Sequence, residues 1–229
     1  MNVRTQNTAV NKPKSRVLLV DAHPIVRQGL IQLVNKEPDL CVCGEAEEAP
    51  KAFQAICTLR PDLTIVGIAL KRGDGIELIK NARTACPKLS FLVFSLHDEA
   101  IYAERALRAG ALGYVMKEQA SDVVLSAIRR VLTGEVYLSE AMKGKLLQKL
   151  ARPHSQIVSS PIAHLTDREL QVFGLIGQGR NNRQVAAELN LSVRTVEAYR
   201  EYIKTKLKLD NSVQLLRHAF HWAQCKAAA

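Results

Sequence analysis

Residues 16–134 alternate between short apolar segments and longer amphipathic ones, and this alternation constrains the fold more than any other feature of the chain. The apolar segments predict strands, and the periodicity of the others predicts helices. Strands that alternate with helices form a parallel sheet covered on both faces. We therefore predict a doubly wound, five-stranded parallel sheet. The predicted strands are 17–21, 40–44, 63–67, 90–95 and 113–116, and the predicted helices lie near 24–35, 48–59, 75–85, 98–109 and 120–133.

Five residues follow or end the strands of this predicted sheet. Ligands of such folds bind outside the carboxyl ends of the strands. Those ends carry Asp21 and Ala22 after the first strand, Gly67 after the third, Ser95 after the fourth and Lys117 after the fifth. An aspartate, a hydroxyl and a lysine around one crevice are typical of a phosphoryl-transfer site.

The chain has 229 residues, which suffices for one domain of about 100–150 residues and a smaller one. The formal net charge is +10, and residues 135–229 hold 14 basic and 8 acidic residues, a surplus of six. A basic C-terminal part favours a polyanionic partner such as nucleic acid.

Composition also bears on the compartment. No apolar run approaches the roughly 20 residues of a membrane span, and residues 1–14 lack the apolar centre of a secretory signal. The five cysteines lack the spacing of a metal site, so we expect small, buried, reduced thiols. We expect a cytoplasmic protein without a membrane partner.

The remaining boundaries come from turn and cap signals. We predict a disordered tail at 1–15, the sheet domain at 16–134, a linker at 135–164 with a helix near 139–150, and a helical domain at 165–225. Two prolines around small and polar residues mark the linker. Thr166 with Glu169 forms a capping-box pattern, and Asn181 and Ser192 are caps of the next two helices. A fourth helix is predicted from 212 to 222.

The second and third of these helices are joined by Asn190 and Leu191, which predicts a helix-turn-helix. In the third helix Val196, Ile203 and Leu207 fall on one face and should be buried. The opposite face could be the solvated side of a helical bundle or a surface for the major groove. Charge at helical spacing alone favours the solvated face.

The C-terminal residues resemble the LuxR-type helix-turn-helix of bacterial transcription regulators. The resemblance rests on residues 165–169 (LTDRE), 179–186 (GRNNRQVA) and 191–197 (LSVRTVE), followed by Lys206 and Leu207. It implies that double-stranded DNA is the partner. It also implies base contacts by Glu197, Ala198 and Glu201, and phosphate contacts by Asn182, Arg183, Ser192, Arg194, Thr195, Lys204 and Lys208.

Two of the implied base contacts are acidic. Glutamate can accept a hydrogen bond from cytosine in the major groove, although phosphates repel it. Glu201 could instead pair with Lys204 or Lys208 on its own helix.

Residues 16–134 resemble a receiver domain, and the whole chain resembles the NarL/FixJ type of response regulator. The resemblance rests on residues 20–24 (VDAHP), 61–63 (PDL) through 74–75 (DG), 107–111 (LRAGA) and 113–117 (GYVMK). It implies a flavodoxin-like (CheY-like) α/β domain followed by a small four-helix LuxR-type domain. In this family the third strand ends in the phosphate-accepting aspartate, and an acidic pair helps to hold Mg²⁺.

This sequence departs from the family at the phosphorylation site. Gly67 stands in place of the acceptor, Ala22 replaces the second acid, and Lys71 with Arg72 replaces the usual Pro-Gly. A hard cation such as Mg²⁺ needs more than one carboxylate. We therefore expect a degenerate crevice (Asp21, Ala22, Gly67, Ser95 and Lys117) without aspartyl phosphorylation, metal or cofactor.

Two details of the crevice stay open. Asp21 and Lys117 either form a simple ion pair, which we favour, or a repurposed catalytic pair. Asp74 precedes Gly75 at a helix start and is expected to be a cap rather than a substitute acceptor.

We expect a phosphorylation-independent, DNA-binding transcription regulator. The alternative is an interaction protein that heterodimerises with phosphorylatable response regulators and tunes them. An enzyme is disfavoured, because no activated nucleophile or base is recognisable.

The last helix predicts assembly. It carries one apolar stripe of Val213, Leu216 and Phe220, and another of Leu215, Ala219 and Trp222. The two stripes together exceed what a small domain buries, so we expect the first to form a homodimer. The alternative is that both stripes pack within the chain.

Overall fold

The structure is a computed structural model that describes residues 13–151 and 161–227. Residues 1–12 of the predicted tail and 152–160 of the predicted linker lie outside the described residues. The first strand begins at Ser15, inside the predicted tail and two residues before the predicted start. It extends that far because the Ser15 amide donates to the Asp39 carbonyl at 2.8 Å, so pairing with the neighbouring strand starts there.

The N-terminal part alternates strands and helices as the sequence predicts. All four pairings between strands are parallel, in the order β2-β1-β3-β4-β5, which confirms the predicted doubly wound sheet. The elements are β1 (Ser15–Val20), α1 (Pro24–Asn35), β2 (Leu40–Ala46), α2 (Ala49–Leu59), β3 (Leu63–Val66), α3 (Gly75–Ala85), β4 (Ser90–Ser95), α4 (Glu99–Ala109), β5 (Gly113–Met116) and α5 (Ser121–Leu132).

Helices cover both faces of the sheet. On one face α1 and α5 bury residues such as Val34 and Ile128 against alternate strand residues such as Leu19. On the other face α2, α3 and α4 pack against the remaining strand residues, among them Leu18 and Val93. Burial on both faces explains why the strands read as nearly continuous apolar runs.

The predicted site residues lie at the carboxyl edge of the sheet. Asp21 and Gly67 each follow the last residue of a strand, so Gly67 lies in the loop rather than in the strand where it was predicted. Ser95 is the last residue of β4, and Lys117 follows β5. Parallel pairing brings these four positions to one crevice.

The beginning of the predicted linker packs against the sheet domain. Tyr137 bridges to Gly113, so the backbone of this segment pairs with the edge strand β5. The following helix α6 (Glu140–Ala151) lies along α4, with Met142 buried and Lys149 bonded to Glu104 at 2.8 Å. The edge of the sheet is thereby covered.

The C-terminal part consists of helices. A 3₁₀ turn (Pro161–His164) precedes α7 (Asp167–Gly177), α8 (Asn182–Leu189), α9 (Val193–Leu207) and α10 (Ser212–Ala227). Thr166 with Glu169, and Asn181 with Gln184, form capping boxes, and Ser192 caps α9, as the sequence predicts. α10 continues five residues beyond its predicted end, because no turn residue interrupts the segment after Trp222.

Gly177 allows α7 and α10 to approach closely. A Cβ atom at this position would lie 2.3 Å from the carbonyl oxygen of Ala219. The close approach lets α10 bury Leu215 and Ala219 completely and brings Trp222 to 5.5 Å from Phe173, ring centre to ring centre.

Candidate functional site

The crevice at the carboxyl edge contains a buried ion pair. Lys117 Nζ lies 2.5 Å from Asp21 Oδ2, and their side chains are 9% and 4% exposed. Oδ2 accepts no hydrogen bond of good geometry from the described residues, so its contact with Lys117 is electrostatic rather than directed. Lys117, which the resemblance to receiver domains predicts as a phosphoryl contact, therefore contacts Asp21 instead.

Gly67 provides the space for this pair. A Cβ atom at residue 67 would lie 2.7 Å from Asp21 Oδ2 and 3.4 Å from Asp21 Cγ. The carboxylate of Asp21 thus lies over the glycine, where the side chain of an acceptor would begin. The absence of a side chain at 67 matters here for room, not for backbone conformation.

The other polar atoms of the crevice are bound by two histidines. Asp21 Oδ1 accepts from the His23 amide at 2.8 Å and lies 3.0 Å from His23 Nδ1. Ser95 Oγ accepts from the His97 amide at 3.0 Å, and His97 Nδ1 lies at the same distance. Each polar group is therefore already satisfied by the residue two positions further along the chain.

This arrangement does not fit Mg²⁺. Ala22 and Gly67 offer no ligand, and both oxygens of Asp21 are in contact with other groups. Nowhere in 13–151 and 161–227 do three or more His, Cys, Asp or Glu side chains cluster as metal ligands would. A divalent cation would have to displace Lys117 and would find a single carboxylate.

Asp74 and the cysteines lie outside the crevice itself. Asp74 accepts from the amides of Ile76 and Glu77 at 2.8 and 3.1 Å, so it is the cap of α3 as predicted. The four cysteines with described side chains are free thiols, but none of them is fully buried as predicted: Cys41, Cys43 and Cys86 are half-buried, and Cys57 is exposed. It lies on the outer side of α2, whose buried stripe is Ala52 and Ile56.

The helix-turn-helix is formed by α8 and α9. Asn190 adopts the left-handed conformation (φ 51°) between them, and the amide of Leu191 donates to Ala186 at 2.8 Å. Val196 and Ile203 are fully buried, as predicted, whereas Leu207 is only half-buried against the same core. The turn therefore sets the direction of α9.

The opposite face of α9 is open to solvent. Arg194, Glu197, Ala198, Glu201 and Lys208 are exposed. Lys204 is half-buried and lies 2.9 Å from Glu201, which is one of the two pairings expected for that glutamate.

The N-terminal ends of α8 and α9 lie side by side. Asn182 and Arg183 line an open depression together with Glu197. Ser192 Oγ accepts from the Thr195 amide at 3.0 Å and lies 2.7 Å from Thr195 Oγ1, so both side chains take part in the cap. Ten predicted contact residues thus lie on or beside one surface, which we call the DNA face (Asn182, Arg183, Ser192, Arg194, Thr195, Glu197, Ala198, Glu201, Lys204 and Lys208).

Arg200 was not identified from the sequence. It lines the same depression as Glu197, and partial burial lowers the pKa of its guanidinium group. Its position at the border between the buried and outward sides of α9 was the available signal.

The two domains are packed together. Arg105 of α4 donates to the Leu165 carbonyl at 2.7 Å and to Asp167 at 2.9 Å, and Lys80 of α3 lies 3.5 Å from Asp167. These contacts join α7 to the sheet domain. Sequence reasoning missed them, because pairs between domains have no local periodicity.

Docking leaves one apolar stripe of α10 uncovered. Val213, Leu216 and Phe220 are 75%, 48% and 53% exposed, whereas Leu215 and Ala219 are completely buried. The alternative in which both stripes pack within the chain is therefore wrong for the first stripe. The DNA face is also exposed in this docked arrangement.

Comparison with known proteins identifies both domains. Residues 17–129 match the family "Response regulator receiver domain", and residues 163–219 match "Bacterial regulatory proteins, luxR family". The chain is similar to the oxygen regulatory protein NreC of Staphylococcus haemolyticus, with 30% identity over 208 residues, 89% of this chain and 96% of the relative.

Two solved structures are also similar. A two-component response regulator of the LuxR family from Aurantimonas sp. is 29% identical, with a TM-score of 0.57 over 61% of this chain and all of that one. RcsB from Salmonella enterica serovar Typhimurium, bound to a promoter with the phosphomimetic BeF₃⁻, is 25% identical, with a TM-score of 0.59 over 90% of this chain and 98% of that one.

Within the described part of the chain, no helix has the length and apolar character needed to cross a membrane. The match to both families in order, together with the similarity to NreC along almost the whole length, establishes the relationship. The chain therefore belongs to the response regulators in which a receiver domain is followed by a DNA-binding domain of the luxR family.

Proposed function

We propose that this protein is a DNA-binding transcription regulator that acts as a homodimer and is not switched by aspartyl phosphorylation. The observation that carries the proposal is the crevice, where the Asp21 carboxylate lies over Gly67 and contacts Lys117. Its activity would be set by its amount, by a protein partner or by a ligand of the altered crevice. A cytoplasmic location is part of the proposal.

The chemistry of the crevice supports phosphorylation independence. An aspartyl phosphate requires a carboxylate at position 67, and glycine has none. Transfer from a phosphodonor also requires a cation to neutralise the transferred group, and a single engaged carboxylate is a poor site for Mg²⁺. We therefore assign the Asp21–Lys117 pair a structural role.

The exposed DNA face supports direct binding to double-stranded DNA. In the luxR-type arrangement Glu197 and Ala198 would contact base edges, whereas Arg183, Arg194 and Lys208 would contact phosphates. The contact between Glu201 and Lys204 neutralises one of the two acidic groups that would otherwise face the phosphates. We therefore propose that Glu201 acts mainly through this pair and only secondarily as a base contact.

The uncovered stripe of α10 supports the homodimer. Val213, Leu216 and Phe220 lie on one side of the helix, and an isologous contact would bury the same patch of both copies. Two helix-turn-helix domains joined in this way would read two half-sites about 10 base pairs apart, centre to centre. RcsB, which shares the fold, is bound to a promoter with a phosphomimetic present. We expect the present chain to dimerise on DNA without phosphorylation.

The test is footprinting and sedimentation of the untreated full-length protein, on binding sites first found by genome-wide mapping of bound DNA. We expect a dimer that protects two half-sites, with no change after incubation with acetyl phosphate and Mg²⁺. A monomer that protects one half-site well above its dissociation constant would contradict the homodimer. DNA binding that requires a phosphorylatable relative would favour the alternative, an interaction protein that tunes other response regulators.

A further inference from the structure

A series of three hydrogen bonds, which we call the interdomain bond series, connects the receiver to the turn of the helix-turn-helix. Asp74 Oδ2 accepts from Gln171 Nε2 at 2.6 Å, and Gln171 Oε1 accepts from Arg168 Nη1 at 2.7 Å. Arg168 Nη2 in turn donates to the carbonyl oxygen of Leu189 at 2.6 Å. Asp74 and Gln171 are only 5% and 3% exposed, so water does not compete for the bond between them, whereas the two bonds of Arg168 are half-buried.

The interdomain bond series begins in the receiver at a rigidly held residue, Asp74. Asp74 belongs to the loop that follows Gly67, and its other oxygen caps α3 through the amides of Ile76 and Glu77. A backbone bridge to Ala69 closes the loop on itself. The direction in which Asp74 Oδ2 points is therefore determined by the receiver and not by its partner.

The interdomain bond series ends at the turn before α9, which sets the direction of that helix. Leu189 is the last residue of α8, and its carbonyl is one of those that a helix end leaves without an intrahelical partner. Arg168 satisfies this carbonyl immediately before Asn190, the residue with the left-handed backbone. The contact of Arg105 with Asp167 also joins the domains, but it holds the start of α7.

We propose that Gln171 is the positioning residue through which the receiver orients the helix-turn-helix. Its amide group has a donor for Asp74 and an acceptor for Arg168, and both are used at once. Neither a carboxylate nor an apolar side chain at 171 could serve both neighbours as they stand. The interdomain bond series does not include Asp21 or Lys117. It therefore holds the two domains together without a phosphate in the crevice.

The charges around Asp74 decide what a substitution would do. Arg168 and Asp167 interact with it electrostatically from α7, and Tyr102 does so from α4. Lys80 of α3 and Arg105 of α4 pair with Asp167, and Glu77 of α3 contributes its backbone amide. Burial raises the pKa of Asp74, whereas the bonds from the Glu77 amide and from Gln171 lower it. A second carboxylate at 171 would meet Asp74 at hydrogen-bond distance, where two carboxylates cannot both be ionised.

The first test is Gln171→Glu in the full-length protein. At pH 7.5 docking of this variant requires the uptake of a proton that the two carboxylates share, so we expect the docking equilibrium to shift towards separated domains by about tenfold or more, as for the loss of a bond to a charged group. The radius of gyration from small-angle scattering should rise. The exchange of the Leu191 amide with solvent deuterium should become faster by about the same factor as undocking, about tenfold or more.

Acid should reverse this effect. The docked variant holds a shared proton that the separated variant, with both carboxylates exposed, releases near the ordinary carboxyl pKa of about 4. Docking of Gln171→Glu should therefore recover as the pH falls from about 7.5 towards about 5, because the docked form binds the proton more tightly than the separated form does. Gln184→Glu adds the same charge on the exposed side of α8 and keeps its capping box, so it should stay docked at both pH values.

The double variant Asp74→Asn with Gln171→Glu provides the rescue. The introduced asparagine caps α3 through its oxygen and donates its amide to the introduced glutamate, whose other oxygen accepts from Arg168, so every bond has a partner again. We expect docking and slow Leu191 exchange at pH 7.5, without the acid dependence. The proposal would be overturned if Gln171→Glu stayed docked at pH 7.5, or if the double variant did not recover docking. It would also be overturned if the exchange rate of the Leu191 amide did not change on substitution of Gln171. These measurements need no DNA, so their failure is distinguishable from failure of the proposed function.

Discussion

The buried pair of Asp21 and Lys117 allows a quantitative test of its structural role. Lys117→Met keeps most of the length of the side chain and removes the charge, which leaves the carboxylate of Asp21 buried without its cation. Breaking one partner out of a buried ion pair typically costs about 3–5 kcal/mol of stability. Asp21 retains the bonds from His23, so we expect a loss of about 2–3 kcal/mol from the free energy of unfolding.

The matched control is Lys71→Met. Lys71 Nζ lies 2.5 Å from Glu47, the same separation as in the buried pair, but Lys71 is 44% exposed and water screens the contact. Burial is thus the main difference between the two pairs. The control should change the urea midpoint much less than Lys117→Met does.

The assay is urea unfolding of the full-length protein followed by far-ultraviolet circular dichroism. Trp222 is the single tryptophan and lies in α10 beside the receiver, so its fluorescence follows the DNA-binding domain together with its docking. Lys117→Met should shift the dichroism transition more than the fluorescence transition, and Asp21→Asn should be less than additive with it. If Lys117→Met costs no more than the control, or stabilises the protein, the structural reading fails, and the pair returns to the candidates for a functional role.

Three further predictions concern chemistry, DNA and assembly. Acetyl phosphate with Mg²⁺ should leave the intact mass unchanged. Gly67→Asp should be labelled poorly, because Ala22 leaves the Mg²⁺ site incomplete, and adding Ala22→Asp should improve the labelling. Equal labelling of the single and double variants would contradict the account of the metal. Arg194→Ala should weaken binding to all sequences and reduce the salt slope by about one, whereas Glu197→Ala should change the preferred sequence with about 1–3 kcal/mol of discrimination at stake. A uniform loss for Glu197→Ala in binding titrations would make that residue part of the scaffold. Phe220→Asp should abolish the dimer in sedimentation and leave the fold intact; a dimer that survives it would exclude the α10 stripe as the interface.

Local patterns in the sequence were sufficient for the elements of both domains. The periodicity of the receiver predicts every strand and helix to within about two residues, because burial on both sheet faces and helical stripes are local properties. The cap residues Thr166, Asn181 and Ser192 likewise predict where α7, α8 and α9 begin, because the side chain of each accepts a hydrogen bond from the amide three residues further on. The absence of a carboxylate at position 67 is likewise readable from the sequence, since it is a property of one residue.

Tertiary structure alone decided how these parts meet. That the Asp21 carboxylate lies over Gly67, and that Val213 and Phe220 remain exposed, depends on side-chain positions set by elements far apart in the chain. The bond between Asp74 and Gln171 spans 97 residues and joins two domains, and no periodicity or cap signal encodes such a contact. The sequence by itself thus determined two domains and a crevice with no carboxylate at position 67. The closing of that crevice by an ion pair, and the docking that leaves the DNA face open, follow from long-range packing.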